Sequence, residues 1–273
     1  MAGSLAAAEE RLRAGELPAC LTELQAEVRR NPAEPRPRIF LAQLLMVLGE
    51  WDRALTQLNV IAEMDASAIP MTRTYAAAIQ CERLRASILA GERSPLIFGD
   101  PEPWLALVVQ GLAALSAGRP EQADTIRAEA FAAAPATAGS LNGTAFEWIA
   151  DSDPRLGPVL EVFLNGNYMW VPYFRIKAIH IEAPADLRDQ VWMPAQFTWT
   201  NEGEAAGFIP TRYPGTLATK DPAALLAKKT DWLDLAPDWS VPVGQRVLVT
   251  DAEETALMDV RKLLMTLPED GTA

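Results

Sequence analysis

Two glycine–glutamate pairs, Gly15-Glu16 and Gly49-Glu50, stand 34 residues apart in a stretch rich in alanine, leucine, glutamate and arginine. That interval is the period of a tetratricopeptide unit, two helices joined by a tight turn. Gly15-Glu16-Leu17 heads a helix carrying Cys20, Leu24 and Val28 that stops at Asn31-Pro32; Gly49-Glu50-Trp51 heads one carrying Ala54, Leu58 and Ala62. A third copy begins at Gly118, with Ala123, Phe131 and Pro135 after it and Trp104 and Gly111 on its first helix. Glycine can end the first helix because it tolerates a left-handed backbone, and proline cannot continue the second. Residues 70–91 read as one long helix outside the pairs, followed by an irregular link at 94–103.

The grammar changes near residues 135–143. Residues 1–137 are expected to form a tetratricopeptide-like helical-repeat domain, and residues 138–273 a compact α+β domain with antiparallel hairpins. Six of the eight tryptophans fall in the second half. Asn165-Gly166, between apolar runs at 159–164 and 168–171, signals a hairpin, because a two-residue turn needs positive φ angles. A second hairpin is expected over 197–209, a strand over 245–250 and a helix over 253–264. Strands and helices do not alternate, so α+β is favoured over a parallel doubly wound sheet.

With 49% hydrophobic and 22% charged residues, the chain has the mix of a globular protein. Its net charge of −12 argues against nucleic acid and anionic membranes as partners, both of which select basic surfaces. No apolar run approaches the roughly 18 residues of a membrane span. No basic segment precedes an apolar one at the N-terminus, as a secretory leader would require. Cys20 and Cys81 read as small buried hydrophobes. A cytoplasmic location is expected.

Chemistry-bearing motifs are scarce. His180, the single histidine, lies in an apolar strand-like run and has no nucleophile beside it. One histidine and two remote cysteines make a poor metal site, and no glycine-rich phosphate or dinucleotide loop occurs, so no metal or cofactor is expected. Asp151 and Asp153 flank Ser152, and Asp186 and Asp189 bracket Arg188; such pairs can serve acid–base work or a hard cation, but also turns and caps. Arg212 and Tyr213 suit an anion, or a buried pairing with Asp151 or Asp153. A hydrolase or small-ligand site built from Asp151, Asp153, Arg212 and Tyr213 is therefore the alternative reading. Repeat stacks expose their first helices on a concave surface. This points to Ile39, Gln43, Met46 and Val47 as a groove for an amphipathic partner helix; the alternative is that the helix after Pro70 covers them as core.

Residues 148–158, with Trp148, Asp151, Asp153, Arg155 and Gly157, resemble the signature of the ImpE family, also called TagJ or SciE proteins. Tyr168, Trp170 and Pro172 continue the likeness, as do Arg188, Asp189 and Trp192, then Arg212 and Tyr213, then Gln245 and Arg246. Pro154 departs from it, where a more polar residue is expected. The resemblance spans essentially the whole chain and implies a non-enzymatic accessory protein of the bacterial type VI secretion system. By the same resemblance, its partners are the N-terminal helix of the small sheath subunit and, by association, the ATPase that disassembles the contracted sheath.

Overall fold

A computed structural model describes residues 2–100, 102–236 and 239–266. The first half is three helix pairs and one long helix. α1 (Ala2–Arg13) pairs with α2 (Leu17–Arg30), and α3 (Pro35–Val47) with α4 (Trp51–Met64). α5 (Ile69–Leu89) stands alone, and β1 (Leu96–Ile97) separates it from the pair α6 (Pro103–Ser116) and α7 (Pro120–Ala133). Each pair turns in the same way. Gly15, Gly49 and Gly118 have φ of 76°, 71° and 72°. The next N–H reaches back to Arg11, Leu45 and Ala114 respectively at 2.9–3.0 Å, the six-to-one bond of a Schellman cap. Gly111 faces α7, where a Cβ would lie in ordinary contact, 3.6 Å from the Ala123 carbonyl.

The second half is mostly strand: β2 (Gly139–Leu141), β3 (Thr144–Phe146), β4 (Ile149–Asp151), β5 (Val159–Leu164), β6 (Asn167–Pro172), β7 (Ile176–His180), β8 (Trp192–Trp199) and β9 (Glu204–Pro210). After the short helices α8 (Thr216–Thr219) and α9 (Pro222–Leu225) come β10 (Thr230–Ala236), β11 (Trp239–Gly244), β12 (Val247–Thr250), β13 (Glu254–Ala256) and β14 (Lys262–Met265). Nine strands form one sheet in the order β1-β6-β5-β9-β8-β7-β14-β2-β3, antiparallel except where β1 joins β6. β10 and β11 form a separate ribbon, and β13-β12-β4 a small third sheet. Asn165 and Gly166 take φ of 51° and 76° between β5 and β6, as the hairpin signal requires.

The helix expected over 253–264 is not formed. That stretch holds β13, a 3-10 turn at Leu257–Asp259 and β14. β14 lies between β7 and β2 and buries Leu263 and Met265 on alternate positions. Ladder bonds to two neighbours override the favourable helical propensity of the segment, because tertiary pairing outweighs a local preference.

Alternation along β5 divides the core. Val159 and Phe163 point to the helical layer and join a cluster with Leu44, Met46, Ile79 and Trp192. Leu160, Val162 and Leu164 point the other way, among Ile179, Phe197, Leu248 and Leu263. The helices cover only one end of the sheet. Over β7, β8 and β9 the same face is bare, with His180, Pro194, Gln196 and Ala206 exposed.

Candidate functional site

Glu161 explains why the signature residues gather where they do. It lies on the helical side of β5 between Val159 and Phe163, fully buried, and a lone carboxylate there would be prohibitively costly. Two arginines resolve this. Arg85 of α5 clasps Glu161 with Nε and Nη2, both at 2.8 Å, and spends Nη1 on Glu82 at 2.8 Å. Arg246, fully buried, bridges Glu161 to Asp151 and donates from Nε to the Pro210 carbonyl at 2.8 Å. The Tyr168 hydroxyl donates to Glu161 at 2.5 Å and accepts from Trp170 Nε1 at 2.6 Å. Asp153 is taken by Arg155, with Nε to Oδ1 at 2.9 Å. The electrostatics follow this geometry. Burial alone would raise the Glu161 carboxyl, but Arg85 and Arg246 together hold it well below the usual carboxylate range. Burial lifts Asp151 to about 6 against the opposing pull of Arg246.

The remaining motif residues tie backbone together. Arg212 donates from Nη1 to the carbonyls of Val47 and Leu225 at 2.7 and 2.8 Å, a cation set on the last carbonyls of α3. Burial lowers its pKa to about 10. It therefore does not pair with Asp151 or Asp153; Arg246 and Arg155 take those places. The Tyr213 hydroxyl bonds Ser152 Oγ at 2.8 Å and both the N–H and C=O of Val247. Gln245 donates to the Ala227 carbonyl and accepts from the Met258 N–H. Asp186 and Asp189 close a capping box around the 3-10 turn Leu187–Gln190, the capping reading of that pair. Trp192 stacks between Trp51 and Tyr75, and the Arg188 guanidinium lies 4.3 Å over the Tyr75 ring. Gly157 takes φ of 53° in the turn after Arg155, Pro172 ends β6, and Trp148 is exposed at the edge of β4.

The groove expected at Ile39, Gln43, Met46 and Val47 is filled by the chain itself. Met46 and Val47 are 1% and 0% exposed. Gln43 donates to Asp186 at 3.3 Å, and Ile39 is half-buried against the same cluster. Met71 and Tyr75 of α5 and Arg188 from the sheet half leave a residual cavity of about 10 Å³ there, too small for anything beyond a water. The long helix after Pro70, with Asp186 and Arg188 from the sheet half, covers these residues as core, the alternative reading of the sequence.

A wide hollow lies elsewhere, on the bare sheet face. An open concavity of about 970 Å³ is bordered by Thr74 of α5 and the connection at 181–185, over a floor of Pro194, Gln196, Ala206 and Phe208. His180 and Arg261 stand at its rim. Among the described residues, no group of three or more His, Cys, Asp or Glu is placed to hold a metal ion. Nor is any helix long and apolar enough to cross a membrane.

The family model of the ImpE protein matches residues 143–264, the span that contains every motif from Trp148 to Arg246. A Pseudomonas aeruginosa protein named type VI secretion system accessory component TagJ is 49% identical over 262 residues, covering 96% of this chain and 92% of that one. The chain belongs to the ImpE family. A crystal structure of a Vibrio parahaemolyticus protein covers 96% of this ImpE chain and 98% of its own length, with a TM-score of 0.86 at 22% identity. That likeness is one of fold. Asp151, Tyr168, Trp170 and Arg246 of the ImpE motifs thus belong to an internal network that clamps helices to sheet. Sequence reasoning missed its helical members, Glu82 and Arg85, and its centre, Glu161. The one signal for them was a carboxylate in the middle of an apolar strand.

Proposed function

We propose that this ImpE-family chain is a non-enzymatic adaptor of type VI secretion that captures the N-terminal helix of the small sheath subunit and assists the disassembly ATPase. The observation that supports it best is the open concavity over β7, β8 and β9. Its floor sets Pro194, Ala206 and Phe208 beside the polar Gln196, a mixed surface on which the apolar face of a helix about 10–12 Å across could lie beside α5. Such a helix would complete the layer that α5 begins. Cytoplasmic action follows from this reading.

The hydrolase alternative finds no support in the geometry. Asp151 and Asp153 are each engaged by an arginine, Arg212 is spent on carbonyls and Tyr213 on Val247, and the four do not converge on an opening. A carboxylate so enclosed has no route to a substrate.

Calorimetric titration of the full chain with a peptide of the sheath subunit's N-terminus tests the proposal. Ala206→Asp places a charge on the exposed floor of the hollow. It should weaken binding about tenfold or more, since burying an unpaired charge costs more than the 1.4 kcal/mol that tenfold represents, with the melting temperature unchanged. Absence of binding, or full binding by this variant, would remove the hollow from consideration.

A further inference from the structure

Outside the network and the hollow, the largest unexplained feature is β10. Three of the six large hydrophobic side chains that stand exposed among the described residues lie on this one strand: Trp232, Leu233 and Leu235, at 53%, 41% and 53%. Single exposed hydrophobes are ordinary, but three on one strand, Trp232 on one face and Leu233 and Leu235 on the other, flank an edge that another chain could cover. Its partner β11 faces inward, where Trp239 packs on Ala114 and Ala123 and donates to the Pro120 carbonyl. No second strand pairs with β10 among the described residues.

Backbone register sets what can bind there. Gln245 N–H donates to the Lys229 carbonyl at 2.8 Å, and Thr230 lies opposite Gly244. Antiparallel alternation then makes Asp231 and Leu233 the bonded positions towards β11. The N–H and C=O of Thr230, Trp232 and Asp234 therefore point outward. Pro242, which has no N–H, sits opposite Trp232 at a non-bonded position, in agreement. Outward donors and acceptors at every second residue fit an extended chain, whose own groups repeat at the same interval, and not a helix. Next to Leu235, a depression of about 480 Å³ lined by Leu89, Leu115 and Pro120 gives room for a large side chain.

Charge narrows the occupant. Asp231 is neutralised by Lys229 at 2.5 Å, whereas among the described residues Asp234 is held only by the Ser240 hydroxyl at 2.6 Å. A second copy would bring its own aspartates and another net charge of −12 to the edge. We propose that β10 docks an extended segment of another protein as a third strand, carrying a lysine or arginine against Asp234. This inference is independent of helix capture in the hollow.

The probe is a labelled seven-residue peptide alternating valine and threonine with a central lysine, and its counterpart with a central glutamate. Fluorescence anisotropy against the full chain at low salt should show the lysine peptide binding at least about tenfold tighter than the glutamate peptide. Asp234→Pro removes one outward N–H and the charge while leaving the β10–β11 bonds, and should abolish binding without lowering the melting temperature. Asp234→Lys should reverse the preference between the two peptides, which a fold defect would not do. Three results would overturn the proposal: no anisotropy change up to about 1 mM, a weak affinity by any measure; equal binding of the two peptides; or sedimentation showing a dimer that Asp234→Pro dissolves, which would give the edge to a second copy.

Discussion

Glu161 is the residue whose loss the molecule should tolerate least. Glu161→Ala leaves Arg85 and Arg246 buried with too few counter-charges, and removing one partner of a buried pair costs about 3–5 kcal/mol. Urea denaturation should show that loss as a lowered midpoint with unchanged slope. Asp151 behaves differently. Its carboxyl titrates at 3.8 when unfolded and at about 6 when folded, so between those values the folded chain holds a proton that the unfolded chain has lost. Stability from this group is complete below 3.8 and is lost as pH rises through 6. Glu161, depressed in the fold, has the opposite sign, and its contribution is lost as pH falls below its unfolded value of 4.5. The window from pH 4.5 to 6 therefore isolates Asp151. The urea midpoint should fall across it in the parent chain and stay flatter in Asp151→Asn; equal slopes would show that Asp151 titrates normally.

At the scale of elements, two glycines separate backbone strain from steric conflict. Gly118 has φ of 72° and nothing within 4 Å of the place a Cβ would occupy, so Gly118→Ala bears only the left-handed penalty, about 1–2 kcal/mol. Gly244, φ 88°, would place its Cβ 2.1 Å from the Lys229 carbonyl at the mouth of the β10–β11 ribbon. Gly244→Ala should cost clearly more in thermal melts, and equal losses would contradict the register given for that ribbon. Met46 on α3 bears on the repeat array. Because it is enclosed, Met46→Asp should lower stability by several kcal/mol through an unpaired buried charge. Lost partner binding with an intact melting curve would instead restore α3 as an open groove wall.

Taken whole, the molecule has a large hydrophobic cluster that spans both halves and a second confined to the sheet half. The cluster that contains Leu24, Leu44 and Ile79 also contains Val159, Phe163, Trp170 and Trp192. Arg85 reaches from helix to sheet, and Arg212 from sheet to helix. Residues 1–137 expressed alone should therefore lack a cooperative transition, while the full chain unfolds in a single one by calorimetry; two separated transitions would show that the halves are autonomous. Fold is inherited from this arrangement. Helices alone would leave α3 and α5 exposing Met46, Tyr75 and Ile79, and the sheet alone would strand Glu161 without Arg85.

By itself the sequence determined the repeat of helix pairs, the two hairpins and the family. Each is carried by local signals: glycines 34 residues apart, Asn165-Gly166, and contiguous motifs around Trp148 and Trp170. It did not determine that residues 253–264 would be strand, because two flanking ladders from distant segments decided that. Nor did it reveal that Arg246, and not Arg212, would meet Asp151, or that the helical groove would be filled from within. Partners 95 and 143 residues apart in the chain, Arg246 with Asp151 and Gln43 with Asp186, meet only when helices and sheet close on each other. Burial is a property of that closure, and with it came the ionic network, the filled groove and the bare sheet face.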